Sequence, residues 1–473
     1  MLQTSVKPQS SAGSATHDGL GHYCGLAAAF APDGLDIART LFYMLFAQQH
    51  RGQESCGIAW EEGGLLRSDR RLGMVANAAS DWQADATRSR VGIGHVRYAT
   101  HGGGGLANAQ PLAVDCNKGR IALAHNGNLS NGVALRAELF DGGSIFQTTS
   151  DSELILHRIS RSTAVGIEAI LRDALSGVEG AYSLCLIWNG ALVAVRDPMG
   201  FRPLHLARHG DAWLVASETC ALHALGPMDW REAEPGECIV VDDDGVRSFF
   251  LEPAPRRSRC IFESIYFARP DSYVFGRSVH GARMALGAAM ALDDELRPDV
   301  VVPVPDSGTL AALGYAQASG APFAFGLTRN HYVGRSFILP SKGERDLAVR
   351  MKLHAVREVV SGKKVVIVDD SLVRGTTSGI IVRLLREAGA SEVHLRLSSP
   401  ELKWPCYYGI DIPTREELIS NRLDPAGIAA YTGADSVRFL GVARLRAALD
   451  APESEYCCAC FDGHYPCPVY QGS

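Results

Sequence analysis

One fourteen-residue string, VVIVDDSLVRGTTS at 365–378, limits the possible folds more than any other part of the chain. Its first four residues are β-branched, as in parallel strands that are buried on both faces. Two adjacent carboxylates, Asp369 and Asp370, follow, and after them come a loop of small residues and a predicted helix over 379–388. A second apolar strand at 392–397 completes a strand–helix–strand unit. The sequence therefore predicts a parallel α/β sheet here.

The loop after the two carboxylates has the composition of a phosphate site. Backbone N–H groups at a helix N-terminus favour a phosphate monoester, and so do hydroxyl groups. The hydroxyl groups are those of Ser371, Thr376, Thr377 and Ser378. The carboxylates repel a phosphate, but they suit sugar hydroxyls or Mg²⁺. We therefore expect a phosphate monoester at the loop, and either sugar hydroxyls or a magnesium ion at the two carboxylates; a capped strand-to-helix turn without a ligand is the alternative.

Length, charge and cysteine content restrict the class of protein. The 473 residues predict two to four domains. The net charge of −6 argues against a nucleic-acid partner, and no apolar run approaches the roughly 20 residues that span a bilayer. The N-terminus lacks the apolar segment of a secretory signal, so we expect a cytoplasmic enzyme without membrane contact. Twelve cysteines then indicate thiol chemistry or metal binding rather than disulfides.

The half that precedes a Pro- and Arg-containing linker at 252–259 has mixed secondary structure. Residues 1–23 have no hydrophobic period and predict a disordered leader. Residues 35–48 have helical spacing, and another helix is expected to start at Asp151 with a capped first turn. Short β-type runs lie at 91–98, 121–127, 181–188 and 191–197.

Cys24 lies where order is expected to begin. An internal cysteine is ordinarily a small buried residue. Removal of residues 1–23 would free an α-amino group with a pKa of about 7.7 to 8.0, which can take the thiol proton. Cys24 is therefore a candidate nucleophile. The motifs that could support it are HRGQE at 50–54, GHVRYAT at 94–100, HNGNL at 125–129 and SDSE at 150–153.

Together these motifs resemble the N-terminal-nucleophile glutamine amidotransferases. The resemblance implies that Cys24 attacks the glutamine side-chain amide. It also implies that Asn126 and the Gly127 backbone N–H hold the oxyanion. Arg97 would pair with the substrate α-carboxylate, and Asp151 would receive its α-ammonium group.

The string at 365–378 resembles the phosphoribosylpyrophosphate (PRPP) motif of type I phosphoribosyltransferases. The nearby VPDSG at 304–308 resembles a loop that meets pyrophosphate in that superfamily. The resemblance implies that Ser307, Asp369 and Asp370 bind Mg²⁺. The basic stretches within 329–352 resemble a mobile loop that closes over the diphosphate. The implied PRPP-binding residues are Asp369, Asp370, Ser371, Arg374, Gly375, Thr376, Thr377, Ser378, Arg335 and Lys352.

Four cysteines distant in sequence form a further candidate set: Cys260, Cys406, Cys457 and Cys460. Thiolates suit Zn²⁺ or an iron–sulfur cluster, and the number of thiolates alone does not distinguish between the two. The set resembles one branch of the glutamine PRPP amidotransferases, in which it would ligate a [4Fe–4S] cluster. Such a cluster would attach the C-terminal tail and perform no redox step. The neighbouring Cys458 has no assigned role.

From Cys24 to about Tyr465 the chain is identified as a member of the glutamine PRPP amidotransferase family. The resemblance implies a removed leader (1–23), a four-layer αββα glutaminase domain (24–255) and a type I phosphoribosyltransferase domain with a cysteine-containing extension (256–473). The implied reaction converts glutamine, PRPP and water into 5-phosphoribosylamine, glutamate and pyrophosphate, the committed step of purine synthesis. Ammonia would pass through an internal channel, purine nucleotides would inhibit, and the enzyme would be a homotetramer or homodimer.

Two other functions would account for part of the sequence. A glutamine amidotransferase that makes glucosamine phosphate or asparagine would share the first half but lack Asp369, Asp370 and the loop after them. A regulator that only binds PRPP would not need Cys24 and its supporting motifs. Glutamate release with and without PRPP separates the three possibilities.

Overall fold

Two antiparallel sheets form the first half of the chain in the computed structural model, which describes residues 24–83, 86–98, 105–332 and 350–469. The first sheet has the strand order β11-β9-β10-β1-β4-β2-β3. Its strands are β1 (Gly25–Asp36), β2 (Ser55–Glu62), β3 (Leu65–Leu72), β4 (Arg88–Arg97), β9 (His205–His209), β10 (Ala212–Ala216) and β11 (Trp230–Glu232). The second sheet has the order β13-β12-β8-β7-β6-β5. Its strands are β5 (Leu112–Cys116), β6 (Gly119–Leu129), β7 (Gly180–Trp188), β8 (Ala191–Arg196), β12 (Glu237–Asp242) and β13 (Gly245–Phe250).

The two sheets face each other, and helices cover their outer faces. Strand β1 shows why: Leu26, Ala28 and Phe30 pack between the sheets, whereas Ala27 and Ala29 face the outer helices. Side chains alternate along a strand, so an apolar strand with both faces covered needs no polar side. The helices on the first sheet are Ile37–Ala47, Val75–Ala78 and Thr219–His223, and those on the second are Gly132–Asp141, Ser152–Arg161 and Ile167–Leu175. The predicted αββα arrangement is confirmed.

A parallel sheet forms the core of the second half, as predicted. Its order is β17-β20-β21-β22, with β17 at Val300–Pro303, β20 at Lys364–Asp369, β21 at Glu392–Leu397 and β22 at Ser436–Phe439. Both faces are covered: Val366 and Val368 of β20 belong to one apolar cluster, and Val365 and Ile367 belong to another. The flanking helices are Val279–Leu292, Thr309–Ser319, Thr376–Glu387, Pro425–Thr432 and Val442–Ala448.

Short elements connect and attach these layers. The predicted linker contains no helix or strand before Arg259, where β14 (Arg259–Cys260) begins and pairs in parallel with β23 (Tyr456–Cys457). The C-terminal segment is thereby attached to the start of the second half. Strand β18 (Leu327–Arg329) pairs antiparallel with β19 (Leu353–Ala355). The remaining short elements are β15 (Tyr273–Val274), β16 (Arg277–Ser278), the π-helical turn Glu263–Phe267, the α-helices Arg357–Val360 and Ala459–Asp462, and the 3₁₀ turns Gln49–Arg51, Ser80–Gln83, Leu106–Asn108 and Ile419–Asn421.

Candidate active sites and cysteine cluster

Cys24 lies directly before β1, at the centre of the first sheet. Strand β1 pairs with β4, so that Gly25 is opposite Val96 and Cys24 comes close to Arg97. The carbonyl oxygen of Cys24 accepts a hydrogen bond from Arg51 Nε at 3.1 Å. Arg97 and Asp151 both act electrostatically on the Cys24 thiol. The structure therefore brings the predicted nucleophile and both predicted glutamine-binding residues together.

The Cys24 thiol needs a base before it can act as a nucleophile. Burial raises its pKa above the usual value, and the positive charge of Arg97 is the largest opposing influence. The thiol therefore stays protonated at neutral pH, whereas the thiolate is the reactive form.

The two predicted oxyanion residues lie on β6. Gly127 has φ +154°, and a Cβ atom at this position would lie 1.9 Å from the Ala181 carbonyl oxygen on β7. Only glycine allows this approach of the two strands. Asn126 Nδ2 donates to Ser217 Oγ at 3.4 Å, and Asn126 Oδ1 has no hydrogen-bond partner among the described residues.

Ser217 is a neighbour of the candidate site that the sequence does not reveal. Its hydroxyl oxygen accepts from the backbone N–H of Leu26 at 3.0 Å, and therefore holds the Asn126 amide beside the start of β1. Ser217 lies 91 residues from Asn126 and belongs to none of the motifs, so no local signal marks it.

Arg97 and Asp151 are each held by neighbours. Arg97 forms an ion pair with Glu54 at 3.2 Å. The helix Ser152–Arg161 starts where the sequence predicts, with Asp151 as its N-cap residue, but the expected side-chain cap is absent. Instead, Asp151 Oδ2 accepts from the backbone N–H of Leu129 at 2.9 Å, which turns the carboxylate away from its own helix and towards β6.

The predicted magnesium ligands converge where β17 and β20 end. Asp369 Oδ1 accepts from Ser307 Oγ at 3.0 Å and from the backbone N–H of Asp370 at 2.9 Å. A Cβ atom at Gly308 would lie 2.1 Å from the Val368 carbonyl oxygen, so glycine is required for the two loops to meet. The structure thus places one hydroxyl and two carboxylates within one small region.

These carboxylates lie in an environment that favours a cation. Burial and the charge of Asp370 raise the pKa of Asp369 well above its usual value, and burial also raises the pKa of Asp370. Two adjacent carboxylates with little access to solvent destabilise each other's charged form, and a bound cation removes that penalty.

The predicted phosphate loop turns sharply into a helix. Gly375 has φ +77° and lies directly before the helix Thr376–Glu387, which therefore starts three residues earlier than predicted, with Thr376, Thr377 and Ser378 in its first turn. Arg374 pairs with Glu417 at 2.7 Å. Hydroxyl groups and N–H groups at such a helix start suit a phosphate.

The predicted mobile loop is only partly described. Lys352 lies directly before β19, at the end of its pairing with β18, and its carbonyl oxygen accepts from the Asn330 N–H at 2.8 Å. Arg335 lies outside the described residues, as do residues 333–349 and the leader 1–23.

The four candidate cysteine ligands come together from three segments. Cys260 and Cys457 are register partners in the β14–β23 pair. The carbonyl oxygen of Cys460 accepts from the N–H groups of Lys403 and Trp404, which brings Cys406 into the same region. Burial raises the pKa of all four thiols, and neighbouring cysteines raise those of Cys260, Cys457 and Cys460 further.

Neither predicted metal group is established by this arrangement. Within the described ranges, no group of three or more His, Cys, Asp or Glu side chains could hold a metal ion. The Mg²⁺ site and the [4Fe–4S] site therefore stay predictions.

The fold and the grouped residues define a class of protein: a glutamine amidotransferase domain followed by a phosphoribosyltransferase domain. A family model described as "Glutamine amidotransferase domain" matches residues 75–280, and one described as "Phosphoribosyl transferase domain" matches residues 282–398. The chain is 44% identical to an amidophosphoribosyltransferase of Bacillus subtilis (strain 168), with 96% of each chain covered. It is 47% identical to the chloroplastic amidophosphoribosyltransferase 1 of Arabidopsis thaliana, over 94% of this chain and 78% of that protein.

A solved structure agrees with these relatives. The glutamine PRPP amidotransferase of B. subtilis, complexed with ADP and GMP, aligns with a TM-score of 0.89 at 43% identity, covering 95% of this chain and 99% of the other. The chain belongs to the amidophosphoribosyltransferase family. The predicted family, two-part fold and glutamine-dependent amidotransfer to PRPP in purine biosynthesis are confirmed.

Proposed function

We propose that Cys24 and the Asp369–Asp370 pair are the centres of two reactions that run in series. The first releases ammonia from glutamine, and the second uses that ammonia to displace pyrophosphate from PRPP. The observation that carries the proposal is the position of Cys24, close enough to Arg97 and Asp151 for both to act on its thiol. Two charges of opposite sign beside a nucleophile suit the carboxylate and ammonium groups of an amino-acid substrate.

In the glutaminase half, removal of residues 1–23 frees the α-amino group of Cys24. This amine takes the thiol proton, and the thiolate attacks the amide carbon of glutamine. Asn126 and the Gly127 N–H stabilise the oxyanion, and ammonia leaves as the acyl-enzyme forms. Water then releases glutamate. Arg97, now paired with Glu54, exchanges this partner for the substrate α-carboxylate.

In the phosphoribosyltransferase half, the loop 371–378 binds the 5-phosphate of PRPP. Ser307, Asp369 and Asp370 would hold Mg²⁺, a fit that rests on their oxygen-only donor set and on the contact of Ser307 Oγ with Asp369 Oδ1 at 3.0 Å. Mg²⁺ would stabilise the negative charge of the departing pyrophosphate. Arg335 and Lys352 bind the diphosphate and exclude water when the loop closes.

The two reactions need a dry connection, because ammonia in water at pH 7 is mostly ammonium. The two halves already touch beside the oxyanion residues, where Asn128 Nδ2 donates to the Tyr407 carbonyl oxygen at 2.9 Å. We infer that an internal channel starts near this contact and is completed when the 329–352 loop closes on PRPP.

We further propose that Cys260, Cys406, Cys457 and Cys460 hold a [4Fe–4S] cluster. The donor set consists of thiols alone, and thiolates are the ligands of such clusters. Because the ligands come from three segments, the cluster would attach the C-terminal segment to the body. Oxygen-free purification followed by iron and sulfide analysis tests this: about four of each per chain is expected, whereas bound zinc or no metal would overturn it.

Three further proposals concern the inhibitors, the oligomeric state and the cellular compartment of the protein. The B. subtilis relative was solved with ADP and GMP, which supports purine nucleotides as inhibitors here as well. We propose a homotetramer or homodimer that acts in the cytoplasm. No helix within the described segments has the length and apolar content required to cross a bilayer.

The decisive experiment measures glutamate release from glutamine with and without PRPP. We expect release to depend on PRPP and to accompany formation of 5-phosphoribosylamine. Release that requires fructose-6-phosphate or aspartate, or no release at all, would overturn the proposal. Cys24→Ala is the matched control and should release no glutamate.

A further inference from the structure

A buried network of charged side chains connects the cysteine cluster (Cys260, Cys406, Cys457 and Cys460) to Cys24. Its members are Arg202, Glu263 and Arg51, and each is fully buried. Glu263 follows Cys260 by three residues and begins the π-helical turn Glu263–Phe267. None of the three has a role in the reactions proposed above, and burial of charge is costly unless the charges are paired.

At one end of this network, Arg51 bridges Glu263 and Cys24. Its Nη2 lies 2.8 Å from Glu263 Oε1 and its Nη1 lies 3.1 Å from Glu263 Oε2, which is a two-point contact. Its Nε donates to the Cys24 carbonyl oxygen at 3.1 Å. Arg51 also pairs with the buried Glu218. All five guanidinium N–H groups have fixed directions, so a displacement of Glu263 moves the contact with Cys24.

At the other end, Arg202 faces both Glu263 and the cysteines. Its Nη1 lies 3.5 Å from Glu263 Oε1. The Cys260 N–H donates to the carbonyl oxygen of Phe201, the residue before Arg202, at 3.1 Å. Arg202 Nη2 donates to the Tyr408 carbonyl oxygen, and the Tyr408 N–H in turn contacts Cys406 Sγ at 3.4 Å. Two of the proposed cluster ligands therefore lie beside this one cation.

We propose that Arg202, Glu263 and Arg51 are positioning residues that make the placement of Cys24 depend on the cysteine cluster. This inference rests on the proposed [4Fe–4S] site. As cluster ligands, Cys260 and Cys406 would be thiolates, and the positive charge of Arg202 would then be shared between them and Glu263. Loss of the cluster would remove these thiolate charges and strengthen the attraction between Arg202 and Glu263. Glu263 then shifts towards Arg202, its two-point contact with Arg51 weakens, and Arg51 no longer fixes the Cys24 carbonyl.

The first test separates glutamine use from ammonia use in Glu263→Gln. We expect the iron and sulfide content and the ammonia-dependent synthesis of phosphoribosylamine to stay as in the wild type. The kcat/KM for glutamine should fall by about 10- to 100-fold, the effect expected when a nucleophile is misplaced by up to 1 Å. Equal loss of both activities, or an unchanged kcat/KM for glutamine, would overturn the inference.

A matched control comes from another buried ion pair. Arg196 is almost fully buried, pairs with Glu232 at 2.9 Å, and within the described part of the chain donates to the Ala233 and Gly200 carbonyl oxygens rather than to Cys24 or the four cysteines. Arg196→Gln should lower the melting temperature without changing the ratio of glutamine-dependent to ammonia-dependent rates. The same change of ratio in this variant would mean that any buried arginine has the effect, and would overturn the inference.

The second test reads the placement of Cys24 without turnover. An electrophilic glutamine analogue labels the mature Cys24, and peptide mass spectrometry gives the rate. Removal of iron should slow labelling of the wild type at least tenfold. In Arg202→Gln it should change the labelling rate less than twofold, because this variant already lacks the ion pair between residue 202 and Glu263. Arg202→Lys keeps the positive charge and should respond as the wild type does.

Equal labelling of wild-type protein with and without iron would contradict the proposed coupling. Glutamate release and metal content measured on the same wild-type sample show whether the proposed function itself has failed. A wild-type sample that releases glutamate with PRPP but contains no iron would overturn the coupling and leave the two reactions in place.

Discussion

Substitution of Gly127 by alanine should disable the glutaminase reaction and leave the transferase reaction intact. A Cβ atom at residue 127 would lie 1.9 Å from the Ala181 carbonyl oxygen, whereas real Cβ contacts stay above 3.0 Å. Strands β6 and β7 must therefore separate by about 1 Å at the point where the proposed oxyanion donors lie.

The size of the effect follows from this displacement. Loss of one oxyanion donor costs about 2.7 to 4 kcal/mol of transition-state stabilisation, or about 10²- to 10³-fold in kcat. The Asp369–Asp370 site lies on a different sheet, so the rate with ammonia should change by less than about twofold. Glutamate release and ammonia-dependent phosphoribosylamine formation, measured on one preparation, give the two numbers.

Gly245→Ala is the matched control. Gly245 has φ +104° and lies in the same sheet, but a Cβ atom there meets no atom within 4 Å. This variant carries backbone strain of about 1 to 2 kcal/mol without the clash, so it should lose stability but keep glutaminase activity. Full glutaminase activity in Gly127→Ala, or equal loss in both variants, would refute the role given to the β6 backbone.

Three further results are expected. The affinity for Mg²⁺ should rise with pH, because burial and the charge of Asp370 raise the pKa of Asp369 and Mg²⁺ binds the ionised form. Calorimetry should then show that protons are released on binding. An affinity that does not depend on pH would argue against this ligand pair. Despite burial, hydrogen bonds from Arg396 hold the pKa of Asp294 at about 2. This native pKa lies below the unfolded value, so above pH 4 the ionised Asp294 contributes about 2 kcal/mol to the free energy of unfolding, and this contribution is lost as the pH falls towards 2. In denaturant unfolding, Asp294→Asn should therefore be less stable than the wild type at neutral pH, and the difference should shrink on acidification. Cys406→Ser should lose iron and lower both activities; unchanged iron content would contradict its role as a ligand.

Regular elements with strong local patterns were predictable from the sequence. The β-branched run of β20 predicts a buried strand, and the spacing of apolar residues in Ile37–Ala47 predicts an amphipathic helix. Strand β21 has the predicted bounds, 392–397. The helix after the phosphate loop begins at Thr376 rather than at 379, because Gly375 in the left-handed region turns the chain earlier than the apolar pattern indicates.

Contacts between distant segments were less predictable. The motifs marked Asn126 and Arg51, but the contacts of Asn126 with Ser217 and of Arg51 with Glu263 arise only from the packing of strands and of the two halves. Asp151 shows the same limit: its position before a helix predicts a cap, and only the neighbouring β6 backbone explains why its carboxylate points elsewhere. Such polar contacts depend on tertiary placement, which leaves no local pattern.

The central claim, that one residue frees ammonia and a separate site uses it, is tested most directly in Cys24→Ala. With PRPP and added ammonia, this variant should form 5-phosphoribosylamine at the wild-type ammonia-dependent rate, and with glutamine it should form none. Product from glutamine, or a folded variant that makes no product from ammonia, would contradict the claim.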